Sequence, residues 1–370
     1  MARKLKSDKV LFIAALLLVC ASIVMVYSAS VYVALDENKD AYHYVTRQTL
    51  FAILGVAALA LAMRVDYRAY RSETFIYGVL GAIGLMLVLV LVPYFGPEVN
   101  GARRWLPILG QRFQPSEFAK IAVVLFTAMM LERRMHRIDD VRYSLGAIGI
   151  VVGLIAALII RQPDFGTAVS LMLVVATMIF AAGLHYKYLA GGLLVGLPVM
   201  ALVALSRQYR VERFMSFWNP EADPQGDGWQ ALQSLIAVGT GGVFGKGLSL
   251  GVQKMLFLPE PHTDYIYAVI SEELGLIGAT GVLLCFCVIA WRGLRIALRS
   301  EDAFGSFVAV GLTVMISVQA FINMGVVLSL LPSKGLPLPL VSSGGSSLVA
   351  SLISIGVLLN ISQHATTTEA

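Results

Sequence analysis

The run LPEPHTDYIYAVISEE, from Leu258 to Glu273, sets an acid, Asp264, at the start of a hydrophobic stretch. An ionisable group at the mouth of an apolar helix is costly to desolvate and is a functional candidate for that reason. The competing description is structural. Aspartate is a favoured N-cap, and an acid there complements the helix dipole. Position alone leaves both readings standing, and the residues around the motif must decide between them.

Further polar groups recur before apolar runs. In NGARRWLPILGQRFQPSEFAK, Asn100 to Lys120, Pro115 falls where a helix tolerates a missing N–H. Glu117 and Lys120 share a helix face and can pair, either as a stiffening ion pair or as part of a site, with Ser116 beside them. Asp164 in RQPDFGT reads as a cap. The stretch GTGGVFGKGLSLG, Gly239 to Gly251, could cradle phosphate through backbone N–H groups, with Lys246 and Lys254 as charge partners. It lacks P-loop spacing, so a flexible surface loop is the plainer description. LPSKGLPLPLVSSGGSS, Leu331 to Ser347, carries proline and glycine where irregular backbone at membrane depth must be protein-buried or line a watery cavity. We read it as pointing to a cavity that opens outward.

These groups sit in a chain built for lipid. Hydrophobic residues make up 58% of it, charged residues 14%, and the mean hydropathy is +0.78. The expected fold is all-α: an integral membrane protein of about ten spans centred near Val19, Ala57, Leu85, Phe126, Leu154, Val174, Leu194, Leu276, Val314 and Ile353. One polytopic domain, residues 1–370, is the simplest partition. The first run, Val10 to Val33, exceeds a signal-peptide core and is expected to stay as a span. With a cytoplasmic N-terminus, the cations of Arg3, Lys4, Lys6, Lys9, Arg64, Arg68, Arg71, Arg133, Arg134, Arg137, Arg142, Lys187, Arg292, Arg295 and Arg299 fall inside. An even span count then returns the C-terminus to the cytoplasm. It also puts a long loop, about 206–264, outside between spans seven and eight.

The net charge of +5 reports this topology, and the scattered basic residues form no stripe with interleaved aromatics, which argues against nucleic-acid binding. Cys20, Cys285 and Cys287 all lie in apolar runs, so no outer disulfide is expected. Of the histidines only His262 stands in a polar outer segment near acids, which argues against a multi-histidine metal site.

Taken together, NGARRW, FQPSEFAK, QPDFGT, FWNPEADPQGDGWQ, QSLIAVGTGG, LPEPHTDYIYAVISEELG and LPSKGLPLPLVSSGGSS resemble, in this order, the SEDS (shape, elongation, division and sporulation) family. SFWNP, the QK before FLPE and YSAS at Tyr27 to Ser30 look more like its division members than its elongation members. The chain departs from the family pattern at HTDYIYA, where Tyr265 and Tyr267 replace phenylalanines, and at VSSGGSS, where Ser343 replaces a tyrosine. The second change removes a ring and any contact it makes.

The resemblance implies a peptidoglycan glycosyltransferase that polymerises lipid II on the outer face of the bacterial cytoplasmic membrane. The implied partners are a class B penicillin-binding protein and other division proteins, beside the membrane lipids. Asp264 matches the family's essential aspartate and would act as general base on the acceptor 4-hydroxyl while polyprenyl diphosphate leaves. Cations aimed at that diphosphate would stabilise its departure. Arg103, Arg104, Arg210, Arg213, Lys246, Lys254 and Lys334 are the outer-face candidates, with Glu117, Lys120, Ser116 and His262 in the cavity. A divalent cation, Mg or Mn, could serve instead, although no ligand cluster demonstrates one. The rival readings are a lipid II transporter, whose marks also include many spans and intramembrane charge pairs, and a non-catalytic division scaffold.

Overall fold

The structure is a computed structural model and describes residues 7–99, 101–108, 110–137, 140, 143, 145–205, 208–218, 228–255, 257–332 and 335–364. Its helices are α1 (Lys9–Asp36), α2 (His43–Arg64), α3 (Glu73–Leu91), α4 (Pro115–Arg134), α5 (Gly146–Arg161), α6 (Phe165–Ala181), α7 (Tyr186–Leu205), α8 (Gln208–Trp218), α9 (Trp229–Gly241), α10 (Ile266–Leu298), α11 (Ala303–Val327) and α12 (Gly345–Gln363). Among the described residues the sheet structure is one small antiparallel hairpin, β1 (Leu106–Ile108) with β2 (Gln111–Phe113), just before α4. Each of the ten expected span centres falls inside a helix. Among the described residues six helices are long and apolar enough to cross a membrane: α1, α2, α3, α10, α11 and α12. This is a multi-pass helical membrane protein.

Lipid is as apolar as leucine, so these helices associate through close packing and internal hydrogen bonds, not by escaping water. The α2–α12 pair shows how. Gly356 lies so close to α2 that a Cβ there would stand 2.7 Å from the Leu59 carbonyl oxygen, and Ala52, Ala62 and Gly55 keep the facing surface low. Helices α4, α11 and α12 are buried along most of their length and form the centre, while α1, α2, α3 and α5 turn leucine and isoleucine outward.

Two ends of this bundle are chemically different. At one, Asp8 meets Arg292 at 2.5 Å, Arg68 meets Glu301 at 2.8 Å, Arg71 meets Glu132 at 3.0 Å, and Arg133 meets Glu73. Most of these side chains are exposed. At the other end gather the close of α1, the starts of α2, α4, α10 and α12, and the close of α11.

The segment expected as a long loop departs from that description. It contains α8 and α9, and residues 219–227 of it lie outside the described part. The glycine-rich stretch is also not a free surface loop. A Cβ on Gly245 would stand 2.1 Å from the Glu273 carbonyl oxygen, and the N–H groups of Lys246 and Gly247 donate to the carbonyls of Glu272 and Glu273, each at 3.0 Å. Its backbone donors therefore point at protein.

Candidate active site

Asp264 sits immediately before α10. The helix begins at Ile266 with Tyr265 at the cap position, so the side chain of Asp264 is not the cap. It is half-buried and held from three sides. Its carbonyl accepts from Asn323 Nδ2 of α11 at 2.8 Å, and the same amide donates to the Leu336 carbonyl at 2.7 Å. The Thr263 carbonyl accepts from Ser342 Oγ, and the His262 carbonyl accepts from Ser343 N at 2.9 Å. Gly335 stands opposite: a Cβ there would lie 2.8 Å from Asp264 Oδ2. A larger residue would crowd the carboxylate.

Behind the exposed Gly335, the segment from Leu336 to Ser342 is mostly protein-covered. Leu336, Leu338, Leu340 and Val341 are buried, and Ser342 Oγ accepts from Leu338 N at 2.8 Å. Two of its carbonyls, those of Leu336 and Pro337, are satisfied by side chains from α11, as irregular backbone at membrane depth requires. Gln319, one helical turn from Asn323, donates Nε2 to the Pro337 carbonyl at 2.9 Å and accepts from Lys120 Nζ through Oε1 at 2.5 Å. Lys120 Nζ also lies 3.0 Å from Glu117 Oε1, and their side chains are 3% and 2% exposed. Pro115 occupies the first turn of α4, and Gln114 ties this end together by donating Nε2 to Ser116 Oγ at 3.1 Å and N–H to Ser346 Oγ at 2.9 Å. Lys120, Glu117 and Asp264 are thus linked through one loop and two amides.

His262 packs its ring on Tyr44 of α2, with centroids 4.5 Å apart, and Tyr44 donates to Glu37 Oε2 at 2.6 Å. Burial pushes the His262 pKa below its ordinary value, with Glu260 and Glu37 opposing the shift. The Glu37 carboxyl is held below its usual range by hydrogen bonds from Lys39 and Tyr44.

The outer-face cations are placed unequally. Arg103 pairs with Glu98 at 3.2 Å on the surface. Arg104 donates to the carbonyls of Gln162 and Pro163 and lies 3.9 Å from Asp164, which caps α6 by accepting from Thr167 N at 3.3 Å. Lys246 and Lys254 turn inward onto Glu272 and Glu273, at 2.7 and 2.5 Å. Those lysines are engaged by internal carboxylates, and the phosphate-cradle reading of this stretch loses its donors. Arg210 and Arg213 lie on α8 with side chains outside the description, and Lys334 lies outside the described residues.

The sequence reading passed over Gln319, Asn323, Glu272 and Glu273. A signal existed for all four, because amide and acid side chains within an apolar helix are expensive and need partners. No such signal marks Ser28 or Ser342, whose partners come from distant segments.

A polytopic helical membrane protein with buried polar centres at one end is the class these observations define. Over residues 8–367 the chain matches the cell cycle protein family of FtsW, RodA and SpoVE, and it belongs to that family. It is 41% identical to the probable peptidoglycan glycosyltransferase FtsW of Geobacter metallireducens, over 96% of this chain and 94% of that protein. It is 44% identical to the stage V sporulation protein E of Bacillus subtilis, over 98% of each. Its fold is similar to a solved peptidoglycan synthase complex that coordinates polymerization and crosslinking, with TM-score 0.76, 29% identity, and 97% of this chain and 98% of that one covered. Rod shape determining protein RodA of Thermus thermophilus superposes with TM-score 0.71 at 29% identity, covering 97% of each chain.

Proposed function

We propose that this protein polymerises lipid II into glycan strands at the outer face of the bacterial cytoplasmic membrane during division, with polyprenyl diphosphate as leaving group. The observation that carries the reading is the half-buried Asp264, with its carbonyl pinned by Asn323, that of the preceding Thr263 by Ser342, and its side chain facing Gly335. Asp264 accepts the proton of the acceptor 4-hydroxyl as that oxygen bonds the donor's anomeric carbon. The bond from this carbon to the diphosphate breaks, and the pair of electrons leaves with the phosphate oxygen. A positioned base of this kind supplies roughly 10² to 10⁴ in rate.

The departing charge calls for cations. Lys334, next in sequence to Gly335, is our leading choice, with Arg103, Arg104, Arg210 and Arg213 behind it. Lys120 and Glu117 act at one remove: through Gln319 and Pro337 they hold the loop that faces Asp264. Relatives named FtsW favour the division role over the elongation role, and the likeness to a synthase complex supports a class B penicillin-binding protein as partner.

We take α1 to α7 and α10 to α12 as ten spans of one domain with both termini cytoplasmic, since exposed arginines crowd the end opposite Asp264. Polymer synthesis from lipid II by the reconstituted protein tests the activity. Asp264→Asn should insert, fold and make no polymer, because neutralising a partly desolvated acid does not harm the fold. Near-normal polymer from Asp264→Asn ends the base assignment, and lipid II translocation without polymer favours a transporter. Cysteines at Tyr94 and Glu260, in a background lacking Cys20, Cys285 and Cys287, should label from outside with an impermeant reagent, and one at Glu301 only after permeabilisation.

A further inference from the structure

The helix behind Asp264 is not continuous with the span that follows it. Gly275 has φ 65° and ψ −163°, so Ile266–Leu274 is a short helix joined through a break to the rest of α10. An unbroken span would hold Asp264 by continuity. A broken one must hold it by contacts, and beside those at Asp264 itself a set of charge-assisted contacts lies at the break.

Glu272 and Glu273 occupy the last turn of the short helix, where the carbonyl end of the dipole disfavours carboxylates. Both are compensated by the segment that precedes Asp264. Glu272 accepts from Lys246 Nζ at 2.7 Å, Val252 N at 2.9 Å and Gln253 N at 3.1 Å. Glu273 accepts from Lys254 Nζ at 2.5 Å, Ser249 N at 3.1 Å and, from α1, Ser28 Oγ at 2.7 Å. Lys254 Nζ closes the triangle by donating to Ser28 Oγ at 2.7 Å. Lys254 is 1% exposed, Glu273 1% and Ser28 3%. The short helix puts roughly 13 Å between this cluster and Asp264 at 1.5 Å per residue, so none of the three touches the reacting atoms.

We propose that Lys254, Glu273 and Ser28 form a positioning cluster that fastens the short helix to α1 and thereby sets where the Asp264 carboxylate stands. The proposal rests on Asp264 being the base. A buried ion pair is weak evidence for stability, because its desolvation offsets its attraction, and its best-attested service is to specify one arrangement over others. Here the alternatives are the orientations a glycine break allows. Misplacing a catalytic group by about 1 Å costs on the order of 10² in rate.

The test compares Lys254→Met, Glu273→Gln, Lys254→Arg and Ser28→Ala with the parent in lipid II polymerisation, resolving kcat from KM. Nitroxide labels at Glu260 and Leu298, both exposed, read the distance across the break. Lys254→Met and Glu273→Gln should lower kcat by roughly 10²-fold with KM within a few-fold, and broaden the distance distribution. Lys254→Arg should recover most of kcat, which a merely disrupted fold would not. Should the first two fail to insert, Ser28→Ala, which leaves the ion pair in place, should lose kcat in the same direction with KM unchanged. Parental kcat together with an unbroadened distance in the folded variants overturns the proposal. If Asp264→Asn is active, the base reading fails, and broadening at the break still reports the fastening by itself.

Discussion

The two ends of the bundle handle charge differently. Away from Asp264, Arg68–Glu301 and Arg133–Glu73 are solvated, the first with side chains 43% and 37% exposed, Arg71 is exposed beside a more covered Glu132, and Asp8–Arg292 alone among these pairs is largely covered. Near Asp264, Lys120–Glu117 and Lys254–Glu273 are almost wholly buried. Exposed pairs are worth about 0 to 1 kcal/mol, whereas a buried pair costs several kcal/mol per ion to desolvate. The first kind follows from topology, because cations collect at one face of a membrane protein whatever it does. The second kind is retained against its cost, and that is why we place function at this end.

The contrast is open to a direct attack. Glu117→Ala or Lys120→Ala should each strand the other charge and destabilise by roughly 3 to 5 kcal/mol, while the double variant recovers much of that loss. A double-mutant cycle on thermal stability with no coupling would make this pair equivalent to a surface one. Gly275→Ala should cost about 1 to 3 kcal/mol from strain at positive φ, and more from contact, since its Cβ would stand 2.3 Å from Gly245 N. A melting temperature equal to the parent's would show that the break is not required.

His262 sharpens the comparison through pH. Its folded-state pKa is depressed by burial, so the neutral ring contributes stability above the unfolded value of about 6.5, and that stability is lost as pH falls through the folded value. The parent's resistance to chemical denaturation should therefore fall on acidification from pH 7, and His262→Phe should flatten that part of the profile. The smallest effect is expected at the far end. Arg68→Ala or Glu301→Ala should change stability by no more than about 1 kcal/mol, fading in high salt. A larger, salt-insensitive loss would erase the distinction between the ends.

Several site features could be read from residue order because they are local. Proline before SEFAK starts α4, the three-residue spacing of Glu117 and Lys120 makes them partners, and Asp164 caps its own helix. Glycines at 241–251 misled for the same reason. A local reading sees freedom and donors, whereas the fold presses that backbone onto Glu272 and Glu273.

By itself the sequence determined the class: hydropathy long enough to cross lipid, cations sorted between loops, and an acid at a helix mouth are properties of short stretches of chain. Tertiary structure decided which charges meet. Ser28 reaches Glu273 across 245 residues, Lys120 reaches Gln319 across 199, and Asn323 reaches the Asp264 carbonyl across 59. Such partners have no spacing rule, because a buried polar group accepts any donor the packing delivers. Its demand for one is visible in the chain, and its identity only in the fold.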